Sequence, residues 1–226
     1  MQAIVLAAGM GTRLRSVSAS KPLTPVGGEV LLVRILANLA AAGVTRPVVI
    51  TGYEGERVGA VARAAGAEIV HNPDWAEPNG VSVLAAAGVL EDKALLVMGD
   101  HLASPSLYAA VAGASLADAG LVLGIDRRLG HPWVDEEDVT RVSTRGDRIL
   151  AIGKTIASYD CYDCGVFLIT PELMESLAGL PRPGLSDGVR ALAARRRAAV
   201  ADVSAHDWID IDDPRALALA EEWVAR

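Results

Sequence analysis

A glycine loop opens the chain, Leu6-Ala7-Ala8-Gly9-Met10-Gly11-Thr12-Arg13-Leu14, and Lys21-Pro22-Leu23 follows before the next apolar run. Small side chains let a backbone approach a phosphate chain, and successive N–H groups in such a turn form a concave anion site. Arg13 and Lys21 bracket that loop with positive charge. Far along the sequence, Leu95-Leu96-Val97-Met98-Gly99-Asp100-His101 puts an acid at the carboxyl end of an apolar run, the edge where open α/β sheets bind ligands. A second acidic segment, Trp208-Ile209-Asp210-Ile211-Asp212-Asp213, supplies the carboxylate oxygens that Mg²⁺ takes together with phosphate oxygens and water. Asp210 and Asp212 share a face of an extended strand, so spacing does not choose between them. Asp213, before Pro214, reads as a helix cap. Of the 21 cationic residues only Lys21, Lys93 and Lys154 are lysines, and Lys154 ends a strand-like run from Ile149.

Two phosphate-binding designs are excluded. A dinucleotide fingerprint needs a third glycine where Leu14 stands and an acid about 20 residues on at a strand end. A P-loop needs Lys-Ser/Thr directly behind its second glycine, and Thr12-Arg13 stands there instead.

The elements that must position these residues alternate in type. Strands are expected at Ala3–Ala7, Val48–Gly52, Glu68–His71, Ala94–Met98 and Leu121–Ile125. Helices are expected near Leu31–Ala42, Glu56–Ala65, Val81–Leu90 and Ser106–Ala117, the last with Ser104 as N-cap and Pro105 at its first position. This is the pattern of an α/β, Rossmann-like three-layer fold with a mostly parallel sheet. The second half is less regular. An acidic stretch from Asp126 to Asp138 reads as a mobile loop, Val139–Thr144 and Arg148–Gly153 as a hairpin, and Gly165–Ile169 as a strand. Thr170-Pro171 opens a short helix, Ser186–Arg197 is helical, Trp208–Ile211 is a last strand, and a terminal helix runs to Val224. Without a linker or repeat, residues 1–226 read as one domain.

Composition narrows the class. A net charge of −7 argues against nucleic-acid and anionic-membrane surfaces, which need a positive footprint. The richest apolar window, Val30 to Val44, is broken by Arg34 and Asn38 and falls short of the roughly 20 apolar residues of a membrane span. Cys161 and Cys164 cannot complete a four-ligand zinc site, and their spacing on a strand disfavours a disulfide; the expected setting is cytoplasmic.

LAAGMGTRL followed by KPLTPVGG resembles the signature of the sugar-phosphate nucleotidylyltransferases. The resemblance implies that the loop backbone, Leu6, Ala7, Ala8, Gly9, Gly11 and Thr12, holds a nucleoside triphosphate. Arg13 would contact the departing pyrophosphate, Lys21 the phosphates during transfer, and Lys154 the phosphate of the acceptor. Asp100 and one of Asp212 and Asp210 would bind Mg²⁺. The segment Asn72 to Ser82 would read the base, with Asn79, Gly80 and Ser82 entering a helix.

Four islands sharpen the match: Met98 to His101, Ala151 to Lys154, Tyr159 to Phe167, and Trp208 to Asp212. Together they are similar to the CTP:inositol-1-phosphate cytidylyltransferases, which implies CTP as nucleotide and inositol 1-phosphate, a phosphorylated polyol, as acceptor. His101 then touches substrate or caps the Asp100 loop. Asp163 bonds a polyol hydroxyl or caps the strand turn, and Gly165 lines the acceptor pocket. Rival readings are a hexose-1-phosphate nucleotidylyltransferase, a phosphocholine or phosphonate cytidylyltransferase, a molybdenum-cofactor guanylyltransferase, whose family resemblance implies a lysine closer behind the arginine than the step from Arg13 to Lys21, and a non-catalytic nucleotide-binding regulatory module. With four Trp, four Tyr and one Phe, an aromatic cage for choline is disfavoured. The module should have lost Arg13, Lys21 or a metal acid, and none is missing.

Overall fold

Alternation along the first strand sets the layers. The computed structural model describes residues 1–11, 14, 18 and 20–226, so the expectations on Thr12 and Arg13 lie outside the described residues. Strand β1 (Gln2–Ala7) is buried along its whole length. Its Ala3, Val5 and Ala7 enter one apolar core and Ile4 and Leu6 a second, because successive side chains leave a strand on opposite faces. A strand covered on both faces needs such a continuous apolar run.

The chain continues through a one-turn 3₁₀ helix at Lys21–Leu23, a small ribbon of β2 (Pro25–Val26) and β3 (Glu29–Val30), α1 (Leu31–Ala41), β4 (Arg46–Thr51), α2 (Gly55–Ala64), β5 (Glu68–His71) and α3 (Asn79–Ala85). Then come β6 (Ala94–Met98), β7 (His101–Ala103), α4 (Pro105–Ala112), β8 (Leu121–Asp126), β9 (Arg141–Arg145), β10 (Arg148–Gly153) and β11 (Cys161–Ile169). The last elements are α5 (Pro171–Ala178), α6 (Leu185–Ala194), β12 (Ala198–Asp202), β13 (Trp208–Asp210) and α7 (Pro214–Val224).

The main sheet runs β5-β4-β1-β6-β11-β8-β12-β10-β9. Strands β5, β4, β1 and β6 are parallel, and β11 runs against both β6 and β8. Helices α1, α2, α4 and α7 bury Leu31, Val58, Leu107 and Ala220 in one core; α3, α5 and α6 bury Val83, Leu173 and Val189 in the other. Each buried Leu or Val side chain contributes about 1.5–3 kcal/mol over exposure. The result is the expected three-layer α/β/α fold with a mixed central sheet. Among the described residues no helix is long and apolar enough to cross a membrane.

Several local expectations are corrected. The helix expected over Ser186–Arg197 is α6, which stops at Ala194; the strand β12 (Ala198–Asp202), parallel to β8, follows it and was not expected. The third helix begins at Asn79 and stops at Ala85. Ser104 stands at the N-cap of α4, but its hydroxyl pairs with that of Ser106, 3.1 Å away, rather than with the helix backbone. Asp213 is the cap it was expected to be, its Oδ1 accepting the Ala216 N–H at 2.8 Å.

The acidic stretch after Asp126 has no regular structure, yet it is tied down. The Gly130 N–H donates to the Tyr162 hydroxyl at 2.9 Å, Arg215 donates to the Pro132 carbonyl at 2.7 Å, and Trp133 packs on Trp223 with ring centroids 5.3 Å apart. Cys161 and Cys164 are both buried free thiols.

Candidate active site

A ribbon of two short strands solves the problem of joining acids more than a hundred positions apart. β13 pairs antiparallel with β7, placing Trp208 opposite Ala103 and Asp210 opposite His101. One step further, the Ile211 N–H donates to the Asp100 carbonyl at 3.0 Å. This register gathers Asp100, His101, Asp210 and Asp212 beyond the carboxyl end of β6. The strand β7, unforeseen from the sequence, is the half of the ribbon on which the assembly depends.

Lys21 sits at the centre of the carboxylates. Its 3₁₀ turn, closed by Leu23 N–H to Ser20 O and Thr24 N–H to Lys21 O, buries the side chain to 8% exposure and aims the ammonium inward. The Nζ lies 2.7 Å from Asp100 Oδ2 and 3.5 Å from Asp210 Oδ1, and is ion-paired with Asp212. Burial acts to raise the Asp100 carboxyl pKa, but the charges of Lys21 and His101 outweigh it and hold the group well below the usual carboxylate range.

Gly11 makes this placement possible. It has φ +58°, and a Cβ there would stand 2.5 Å from the Lys21 Cβ. The glycine loop therefore passes directly over the lysine stem. Gly11→Ala combines a left-handed backbone with this clash, so we expect destabilisation of about 1–3 kcal/mol. We also expect a fall in turnover of about 10²-fold as the ammonium is displaced by an ångström or so. Thermal unfolding and kcat measured on the same preparation check both. Gly9, by contrast, is exposed and has nothing within 4 Å of its would-be Cβ.

His101 is seated by an irregularity in β11. Register slips between Asp163 and Phe167, Gly165 takes φ +73°, and a Cβ on Gly165 would lie 2.3 Å from His101 Nδ1. The ring fills that vacated space. Its Nδ1 faces the Cys164 carbonyl at 3.0 Å, and since a carbonyl only accepts, Nδ1 carries its proton. Nε2 lies 3.4 Å from Asp210 Oδ2 and 3.8 Å from Asp100 Oδ1. Burial acts to lower the ring's pKa, but Asp210 and then Asp100 push it up to about 9. Asp163 bends back so that its Oδ1 accepts the Gly165 N–H at 2.7 Å, while burial pushes its carboxyl up to about 6.

Asp100, His101, Asp163, Gly165, Asp210 and Asp212 line a cavity of about 290 Å³ that also reaches Asn79, Trp133, Lys154 and Arg215. Lys154 is half-exposed at its rim and ion-paired with Asp138. Three of the base-reading candidates carry packing duties. Ser82 is buried and accepts from Asn72 at 3.0 Å, Asn79 Oδ1 accepts the Leu185 N–H at 2.8 Å, and a Cβ on Gly80 would strike the Pro183 carbonyl at 2.4 Å. Leu6 and Ala8 use their carbonyls internally, accepting from Gly99 at 2.9 Å and Tyr53 at 3.0 Å; Ala7 is buried between them. Trp133, Asp138 and Arg215 were not anticipated at the site. Two lie in the irregular acidic stretch and the third opens a helix, where nothing in the sequence distinguishes it from a surface charge.

Comparison with known proteins places the architecture. Residues 3–162 match the MobA-like NTP transferase domain. The chain is 36% identical over 229 aligned residues, 98% of its length, to a bifunctional IPC transferase and DIPP synthase of Rubrobacter xylanophilus. It spans about half the length of the curated relatives it matches at full length, 51% of that protein and 52% of its Aquifex aeolicus counterpart. A CMP-5'-(3-aminopropyl)phosphonate synthase of Streptomyces rubellomurinus is 38% identical over 53% of this chain and 20% of its own. Among solved structures, the inositol-1-phosphate CTP transferase from T. maritima superposes with TM-score 0.88 and 27% identity, covering 97% of this chain and 93% of that one.

Proposed function

The chain belongs to the MobA-like NTP transferase domain family, and from that premise we propose that it transfers the CMP unit of CTP to inositol 1-phosphate, yielding CDP-inositol and pyrophosphate. The observation that carries this reading is the meeting of Lys21 with Asp100, Asp210 and Asp212 beside a cavity that those three carboxylates line together with His101 and Asp163. Its choice of substrates is supported by the similarity, over 98% of this chain, to about half of a bifunctional IPC transferase and DIPP synthase, and by that to the inositol-1-phosphate CTP transferase from T. maritima.

The chemistry is an electrostatic problem. A triphosphate and a phosphomonoester are both anions, and two like unit charges ~4 Å apart repel by ~4 kcal/mol at an effective dielectric of 20. Lys21 and, by the family resemblance, Arg13 would face the triphosphate; Lys154 and His101 would face the acceptor. An oxygen of the acceptor phosphate attacks the α-phosphorus in line. The new P–O bond forms as the bond to the β-phosphate oxygen breaks, and the electron pair leaves with pyrophosphate. No general base is required, because the attacking phosphate is already ionised. Catalysis is positioning plus charge stabilisation.

The acidic cluster suits a hard divalent cation. Asp100 Oδ1 and Asp210 Oδ1 are buried and accept no hydrogen bond. Ligand atoms of Asp100, His101 and Asp210, and of Asp138, Asp210 and Asp212, lie within 4.8 Å of one another. Such oxygen donors match Mg²⁺, which Asp100 would hold together with Asp210 and Asp212. When bound, it would neutralise charge on the triphosphate.

The test is a grid of nucleoside triphosphates against inositol 1-phosphate, hexose 1-phosphates, phosphocholine and aminoalkylphosphonates, read as pyrophosphate release with Mg²⁺. CTP with inositol 1-phosphate should give the highest kcat/KM. A maximum at an aminoalkylphosphonate would move the acceptor to the chemistry of the Streptomyces rubellomurinus relative. No release from any pair would reject the reading in favour of a binding module.

A further inference from the structure

Behind the cavity wall stands a carboxylate that the proposed chemistry does not use. Asp126 ends β8, and its side chain is wholly inaccessible to solvent. A buried charge survives only if it is paired and hydrogen-bonded, and Asp126 is unusually well supplied. Its Oδ1 accepts the Arg128 backbone N–H at 2.8 Å and Arg128 Nε at 3.0 Å. Its Oδ2 accepts Arg128 Nη2 at 2.8 Å and the Trp208 indole Nε1–H at 2.9 Å.

Arg128 is itself fixed, donating to the His206 carbonyl at 2.9 Å. The Trp208 indole, 4% exposed, then lies stacked on His101, with centroids 5.8 Å apart and planes 17° from parallel. On the imidazole's other contacts stand the Cys164 carbonyl and the space left by Gly165. The ring is held by a wall that is held in turn by Asp126.

We infer that Asp126 is a positioning residue for the acceptor: through the Trp208 indole it sets the plane in which His101 presents its imidazole to the cavity. This rests on the reading above that His101 faces the acceptor. A buried carboxylate kept only for stability would not need to receive the one N–H of the tryptophan that faces the site. An indole offers a single donor direction, so pinning it fixes the ring's rotation as well as its depth.

The experiment compares Asp126→Asn, Trp208→Phe and the double variant in steady-state kinetics with CTP and inositol 1-phosphate. Losing one buried hydrogen bond of this kind corresponds to about a tenfold change. The expected result is therefore a KM for inositol 1-phosphate raised about tenfold in each single variant, with the KM for CTP within about twofold of wild type. The double variant should be no worse than the more impaired single one, since both cut the same link.

An acceptor KM that does not move in folded Asp126→Asn overturns the inference. So do KM values that rise together for both substrates, or effects that multiply in the double variant. Should wild-type protein not turn over this pair, the functional reading fails by itself and the inference is judged by NMR. The His101 Nδ1–H resonance, assigned by its loss in His101→Gln, should shift alike in Asp126→Asn and Trp208→Phe; an unmoved resonance rejects it.

Discussion

Lys21→Ala should lower kcat by about 10³-fold, the upper range for removing one preorganised donor from a site of developing charge. Its ammonium is ion-paired with all three of Asp100, Asp210 and Asp212, and transfer of a nucleotidyl group needs positive charge at that spot when the acceptor's anion arrives. The same substitution has a second signature that does not depend on turnover. Without Lys21 three carboxylates face one another, and at ~4 Å each pair costs ~4 kcal/mol at an effective dielectric of 20. Mg²⁺ should therefore raise the unfolding temperature of Lys21→Ala more than that of the wild type, where the ammonium competes for the same oxygens. An unchanged kcat would remove Lys21 from the chemistry. Equal Mg²⁺ effects would show that the cation binds elsewhere.

Asp100→Asn should be nearly as damaging to turnover, about 10²–10³-fold, for a different reason. The carboxylate offers Oδ2 to Lys21 at 2.7 Å and leaves Oδ1 buried without a hydrogen bond. An amide can keep the first contact but not supply a second anionic oxygen. Half-saturating Mg²⁺ should rise by at least 10–100-fold, the cost of altering mere outer-shell partners of a metal site. Mg²⁺ titrations of pyrophosphate release measure both quantities. A fall in kcat with unchanged half-saturation would assign Asp100 to holding Lys21 alone.

Much of this arrangement was legible in residue types. The apolar run from Ala3, the small residues behind it and the lysine before Pro22 marked a strand followed by a glycine loop with positive charge beside it, because backbone access and local charge are properties of short segments. Asp100 was legible for the same reason, standing where a buried strand ends.

The ribbon of β7 and β13 was only half legible. His101–Ala103 is three residues long, too short to show alternation, and it is a strand only because Trp208–Asp210 lies beside it. The bulge at Gly165 was hidden as well: its purpose is to clear room for an imidazole contributed from another segment. Nor could sequence show that Asp126, opening what reads as an acidic loop, is buried against Arg128 and Trp208. A carboxylate's partners are decided by tertiary contact. The strand at Ala198–Asp202 was hidden because a run of small residues becomes a strand only by pairing with β8.

Most direct of all is ³¹P NMR of wild-type protein with Mg²⁺, CTP and inositol 1-phosphate. The account predicts that the resonances of both substrates decay together and are replaced by pyrophosphate and a new coupled pair in the diphosphate-diester region, and that omitting either substrate abolishes the pair. Pyrophosphate appearing alone, or CTP and inositol 1-phosphate persisting side by side, would contradict it.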